Sequence, residues 1–144
     1  MIFERKKYLD ELIAGRGNGL VKIITGVRRC GKSFLLFDIW HNWLLEHGVT
    51  NSHIIEIQLD DFRNRRLRKP DALLDYIDSK VMDDGNPYYI VLDEVQLVEE
   101  FVEVILSLTH MRNVDVYVSG SNSRFQSSDV VTEFRGRGDE IRIW

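Results

Sequence analysis

The chain has 144 residues, 44% of them hydrophobic and 29% charged, with a formal net charge of −4; this composition predicts one domain with a real core and excludes intrinsic disorder. No apolar run nears the roughly 18 residues of a membrane span, and Met-Ile-Phe-Glu-Arg-Lys-Lys at the N-terminus lacks the apolar stretch of a secretory leader. The single cysteine, Cys30, excludes a disulfide framework, and there is no CxxC or HExxH zinc spacing, so the expectation is a cytoplasmic domain over residues 1–144.

The first predicted element is a helix over about 3–14, with Tyr8, Leu9, Leu12 and Ile13 at helical spacing. Gly15, Gly17, Asn18 and Gly19 break it, and Val21 to Thr25 follows as a short β-branched run that reads as a buried strand. A helix is predicted from Lys32 to about His47, with Gly48 at the left-handed capping position. His53 to Leu59 reads as a second strand. A basic stretch then leads to Pro70, which opens a helix through Met82. Asp83 to Pro87 is a turn, Tyr88 to Leu92 a third buried strand, and Glu99 to His110 an amphipathic helix. Asp115 to Ser119 and Glu140 to Trp144 read as the fourth and fifth strands. Strands alternating with helices predict an α/β fold with a parallel sheet covered on both faces. Right-handed crossovers then gather the C-terminal ends of the strands on one edge, where ligands bind.

Gly26-Val27-Arg28-Arg29-Cys30-Gly31-Lys32-Ser33 fits GxxxxGK[ST], the phosphate-binding loop, between a predicted strand and a predicted helix. Backbone N–H groups of such a loop point inward at phosphate oxygens, and the helix directs its positive end at the same anion. Lys32 supplies charge to the β- and γ-phosphates, Ser33 a hydroxyl for Mg²⁺, and Phe34 completes the candidate nucleotide contacts. Arg28 and Arg29 read either as solvent-facing or as a contact to phosphate or a partner. Cys30 reads as a small filler, with a thiol of lowered pKa as the alternative.

Tyr88-Tyr-Ile-Val-Leu-Asp93-Glu94 is an apolar strand ending in two carboxylates. Asp93 is placed to hold Mg²⁺ through water, and Glu94 to polarise a water for in-line attack. Val116 to Ser123 ends the next strand in small polar groups. Ser121 and Asn122 are the candidates there for sensing the γ-phosphate, with an ordinary polar turn as the alternative. Arg135 and Arg137, beyond a Ser-rich loop, are either phosphate-stabilising arginines or surface residues.

Ile23 to Ser33, Ile90 to Gln96 and Val118 to Arg124, with Phe134 to Arg137 after them, resemble blocks of the prokaryotic AAA-type (AAA+) P-loop ATPases, in the subgroup with a Gly-Val-Arg-Arg loop. The resemblance covers about Glu4 to Trp144. It implies a three-layer P-loop fold with a five-stranded sheet ordered 5-1-4-3-2, Mg-ATP as ligand, Lys32 and Ser33 on phosphate and Mg²⁺, Asp93 as the metal-coordinating acid and Glu94 as the base. Members of that family usually continue into a helical lid and a further domain. The resemblance therefore implies the ATPase core of a longer protein, with a naturally short form as the alternative, and as partners a C-terminal domain, another protein or further copies of itself.

Two alternatives stand beside an ATPase: a nucleotide-gated switch with little turnover, and a small-molecule phosphotransferase. A GTPase is disfavoured, because Asp93 is followed by Glu-Val-Gln and no N-K-x-D occurs. Arg63, Arg65, Arg66, Arg68 and Lys69 form the one strongly basic run. It reads as a solvated loop, with a nucleic-acid or acidic-partner contact as the alternative.

Overall fold

The computed structural model describes residues 2–26, 31–121, 134 and 136–143. Five strands, β1 (Val21–Thr25), β2 (Ile54–Gln58), β3 (Tyr88–Asp93), β4 (Val114–Ser119) and β5 (Gly138–Arg142), pair in the order β2-β3-β4-β1-β5, all in parallel. This is the expected order read from the other side. The fifth strand starts at Gly138 rather than Glu140, where it pairs with Val21 at the start of β1.

Side chains of a strand alternate between faces, and both faces are covered. On one face Tyr88, Ile90 and Leu92 of β3 and Val116 and Val118 of β4 pack with Leu73 and Ile77 of α4 (Pro70–Lys80) and Val104, Ile105 and Leu108 of α5 (Phe101–Leu108). On the other, Tyr89, Val91, Tyr117 and Ile24 pack with Tyr8 and Leu12 of α1 (Ile2–Gly15) and with Leu35, Leu36, Trp40 and Leu44. Asp93 and Ser119 continue the second set, so they fall on the face of the helical run that begins at Lys32.

That run is not a uniform helix. A short α2 (Lys32–Phe34) passes into a π-helical stretch, Leu35–Trp40, and then into α3 (His41–Glu46). The 3.6-residue period of the apolar positions carries no signal for the widened turns. Trp40 lies fully buried within them, stacked on Trp43 with ring centroids 5.2 Å apart and packed on Tyr117. The basic stretch is a 3₁₀ helix, Phe62–Arg68, rather than an open loop, capped by Asp61 accepting from Arg63 N.

Two charged strand residues are buried together against the apolar pattern, Lys22 and Asp115. Lys22 is fully buried in β1, and its Nζ lies 2.5 Å from Asp115 Oδ1. Asp115 Oδ2 accepts from the Tyr117 hydroxyl at 2.6 Å and from Gly17 N at 2.9 Å, and Asn18 Oδ1 accepts from Lys22 Nζ at 3.0 Å. Lys22 pairs with Tyr117 across the strands, so Asp115 is its same-face diagonal neighbour. A one-residue slip would turn the lysine into the opposite core. Lys22→Met leaves the Asp115 charge buried without its counterion. It is expected to cost about 3–5 kcal/mol in a chemical denaturation midpoint with unchanged slope.

Candidate functional site

The parallel registers bring three strand ends level. Leu92 pairs with Val118, and Ile24 pairs with Ser119. Asp93, the last residue of β3, therefore sits beside Ser119, the last of β4, with Thr25 and Gly26 one and two residues further out. Gly26 leaves β1 at φ 149°, and Gly31 enters the helical run at φ 103°, ψ 12°. A Cβ at Gly31 would meet nothing within 4 Å, so backbone conformation rather than space calls for glycine there. Val27, Arg28, Arg29 and Cys30, between them, lie outside the described residues, as do Asn122 and Arg135.

The site is built on Asp93, whose side chain is 3% exposed. Ser33 Oγ, in the first turn of the helical run, donates to Asp93 Oδ2 at 2.7 Å, and the Ser119 hydroxyl donates to Oδ1. The same Ser119 oxygen accepts from Glu94 N at 3.1 Å. Burial pushes the Asp93 carboxyl above its ordinary value. The two hydroxyls oppose that shift, and the nearby charges of Glu94 and Asp60 reinforce it. Lys32, 4% exposed, reaches back over the loop to donate to the Gly26 carbonyl at 2.9 Å.

Glu94 is one of two non-glycine residues with positive φ among those described, at φ 55°, ψ 49°. Such a conformation costs a bulky residue about 1 kcal/mol or more. It turns the chain sharply out of β3 into a 3₁₀ turn, Val95–Leu97, whose Leu97 N donates back to Glu94 O at 3.1 Å. Glu94 Oε1 accepts from Ser121 Oγ at 2.7 Å and from Gln96 Nε2 at 2.8 Å.

Of the residues expected at the site, the structure brings together Gly26, Gly31, Lys32, Ser33, Asp93, Glu94 and Ser121. Phe34 stands just behind, 43% exposed, with the Arg5 guanidinium 4.7 Å above its ring. Arg137 takes the second of its two expected places, at the surface. Its backbone carbonyl accepts from Val21 N at 2.7 Å, at the start of β1, and its guanidinium meets Thr109 and His110. It lies at the edge of the sheet opposite Asp93. Ser119 and Gln96 were not singled out from sequence. The Val-Ser-Gly-Ser run held the signal for Ser119, since alternation from Tyr117 places it on the Asp93 face.

Three of the five cations of the basic run have partners. Arg63 pairs with Asp61 at 2.8 Å, Arg68 Nε donates to Leu59 O at 2.9 Å, and Lys69 pairs with Glu99 at 2.7 Å. Arg65 lies over the exposed Phe62 ring at 4.4 Å, and no ion pair reaches Arg65 or Arg66 among the described residues. A cavity of about 550 Å³ sits at the far edge, among Arg16, Trp43, Tyr89 and Asp115. It is remote from Asp93, beside which the Ser33 and Ser119 hydroxyls both donate to the carboxylate.

Hard oxygen donors suit Mg²⁺, which keeps several waters and takes one or two carboxylates plus phosphate oxygens. One buried carboxylate meeting one serine hydroxyl is such a donor set. Among the described residues no group of three or more His, Cys, Asp or Glu could hold a metal unaided, and no helix is long and apolar enough to cross a membrane.

Residues 18–144 match the model of the family described as "AAA domain". An uncharacterized protein of Haemophilus influenzae is 29% identical over 143 residues, covering 99% of this chain and 36% of its own length. One of Methanocaldococcus jannaschii is 26% identical over 127 residues, covering 85% and 26%. The chain thus spans about a third and a quarter of these relatives. Among solved structures, Cdc6p from Pyrobaculum aerophilum superposes with a TM-score of 0.65 at 15% identity, over 96% of this chain and 45% of that one. A Drosophila ORC structure bound to DNA gives 0.61 at 11% identity, over 97% and 89%. Caenorhabditis elegans PCH-2 gives 0.59 at 16%, over 97% and 38%. At these identities the likeness is one of fold. With the family model matched from residue 18 to the last residue, across the sheet and the phosphate-loop strand, the chain belongs to the AAA domain family.

Proposed function

We propose that this chain binds ATP with Mg²⁺ and hydrolyses it to ADP and phosphate, as a member of the subgroup with a Gly-Val-Arg-Arg loop. The observation that carries this reading is the 2.7 Å contact between Ser33 Oγ and Asp93 Oδ2. It joins the phosphate-loop helix to the acidic strand end where the metal-nucleotide would sit. Ser33 and Asp93 would hold the ion, which supplies charge neutralisation between the β- and γ-phosphates. Lys32, now on the Gly26 carbonyl, turns to the phosphates. Residues 26–33 cradle them through backbone N–H groups.

Glu94 takes a proton from water as its oxygen bonds the γ-phosphorus. The bond to the β–γ bridging oxygen breaks, and ADP leaves with that electron pair. Ser121 reports on the γ-phosphate through its contact with Glu94. The cycle acts on a further domain, another protein or a second copy of the chain. Nucleic acid is the weaker partner, because three of the five cations of the basic run already have partners within the chain.

Lys32→Ala is expected to weaken ATP binding at least about 100-fold by titration calorimetry. Glu94→Gln should retain affinity while turnover falls about 10²–10⁴-fold. Normal hydrolysis by Glu94→Gln would show the base to lie elsewhere, and binding without turnover in the unaltered chain would favour the switch.

Burial disfavours the charged form of Asp93. The folded state holds its proton more tightly than the unfolded chain, so this group favours folding at acid pH. That contribution is lost as pH rises from the ordinary aspartate value through the raised one. Asp93→Asn is therefore expected to stabilise the nucleotide-free protein at neutral pH by about 0.5–2 kcal/mol, the usual size of a stabilising substitution, while abolishing Mg²⁺-dependent turnover. A thermal midpoint that falls in the variant counts against a charge disfavoured by its burial.

A further inference from the structure

The turn after β3 contains a side chain that the hydrolytic reading does not use. Gln96 donates from Nε2 to Glu94 Oε1 at 2.8 Å, while its own Oε1 is buried with no hydrogen-bond partner. The amide has only two orientations. The reversed one would set its oxygen against the Glu94 carboxylate, acceptor against acceptor, so the charge on Glu94 fixes the one observed. An unmet buried acceptor is destabilising. A glutamine held where half of its amide goes unsatisfied is explained by what the other half does.

That half acts on a carboxylate already gripped from a second strand. Ser121, just past the end of β4, donates to the same Oε1 at 2.7 Å. Two donors from two elements thus converge on one oxygen, and among the described residues no hydrogen bond reaches Oε2. A free glutamate would spread over several rotamers. A general base must instead present one oxygen, with a lone pair open, at a fixed place.

We propose that Gln96 is a positioning residue for Glu94: its amide, together with the Ser121 hydroxyl, pins Oε1 and leaves Oε2 to receive the proton of the attacking water. The inference rests on the hydrolytic reading of this site and deepens it. Gln96 touches neither nucleotide nor water. It acts through Glu94 alone.

Gln96→Met keeps the length of the side chain and removes both the donor and the orphaned acceptor. Expected in this variant is a kcat for ATP lowered about tenfold or more, with KM and ATP affinity within about twofold of the unaltered chain. Its thermal midpoint should not fall, since a buried acceptor without a partner has been removed. A merely structural glutamine predicts the reverse, a lowered midpoint with kcat and KM changing together, and that result overturns the proposal, as does an unchanged kcat.

A readout independent of turnover is a crystal structure of Gln96→Met, in which the Glu94 carboxylate should leave Ser121 or spread over rotamers. A carboxylate still within hydrogen-bond distance of Ser121 in one rotamer overturns the role. Glu94→Gln, assayed alongside, separates the two levels of the argument. If it turns over normally, the base assignment fails. If it is inactive while Gln96→Met is normal, only the positioning role fails.

Discussion

The site depends on one carboxylate shared by three elements. Asp93 accepts from Ser33 at the head of the phosphate-loop helix and from Ser119 at the end of β4, while itself ending β3. No two of these residues are near in sequence, and only a parallel sheet with β3 beside β4 and β4 beside β1 lines up their ends. The strand order is therefore a condition of the chemistry as much as a result of packing. Reverse one strand, and Ser119 or Asp93 would stand at the opposite edge.

A second buried charge secures that alignment from the other end. The pair between Lys22 and Asp115 joins β1 to β4, the strands that deliver the loop and Ser119, and does so on the face that carries Asp93. Apolar contacts between strands are nearly indifferent to a slip along the strand, whereas a buried lysine tolerates only the register that meets its counterion. A shift of β1 against β4 by one residue, about 3.3 Å, would move the start of the loop by more than the length of a hydrogen bond. The far edge thus sets the geometry of the near one, though no residue of the Lys22 cluster faces the nucleotide side.

What could be read from the sequence followed from local signals. Apolar runs bounded by turn residues located β1, β3 and β4, and β1 begins and ends where expected, with Gly19 two residues before it and Gly26 directly after, whereas β5, Gly-Asp-Glu-Ile-Arg, starts two residues before its expected place. The loop motif and the acidic pair were legible for the same reason: each is contiguous. Contacts made by folding were not. Lys22 stands in a run that reads as a buried strand, and nothing in the linear sequence pairs it with Asp115, 93 positions away. Gln96 bonds a residue only two positions distant, yet nothing in a linear reading shows that Glu94 turns back with positive φ. Between the two readings of Arg137 the strand boundary decides: a residue immediately before a parallel strand lies at the edge opposite the ligand, and β5 starts at Gly138 rather than Glu140.

The unfavourable features of the structure are concentrated where the reading places the chemistry. Asp93 is a buried acid, Glu94 a non-glycine residue in a left-handed conformation, and Gln96 a side chain with an unmet acceptor. All three fall within four consecutive residues. The turn survives because its surroundings are strong: β3 is buried along its whole length, Val95 and Val98 anchor the turn in the core, and Leu97 and Val98 close it with backbone hydrogen bonds. Backbone strain and unmet polar groups persist where the surroundings over-determine them and cluster at functional sites, so their concentration beside Asp93 and Glu94 accords with the chemistry proposed there.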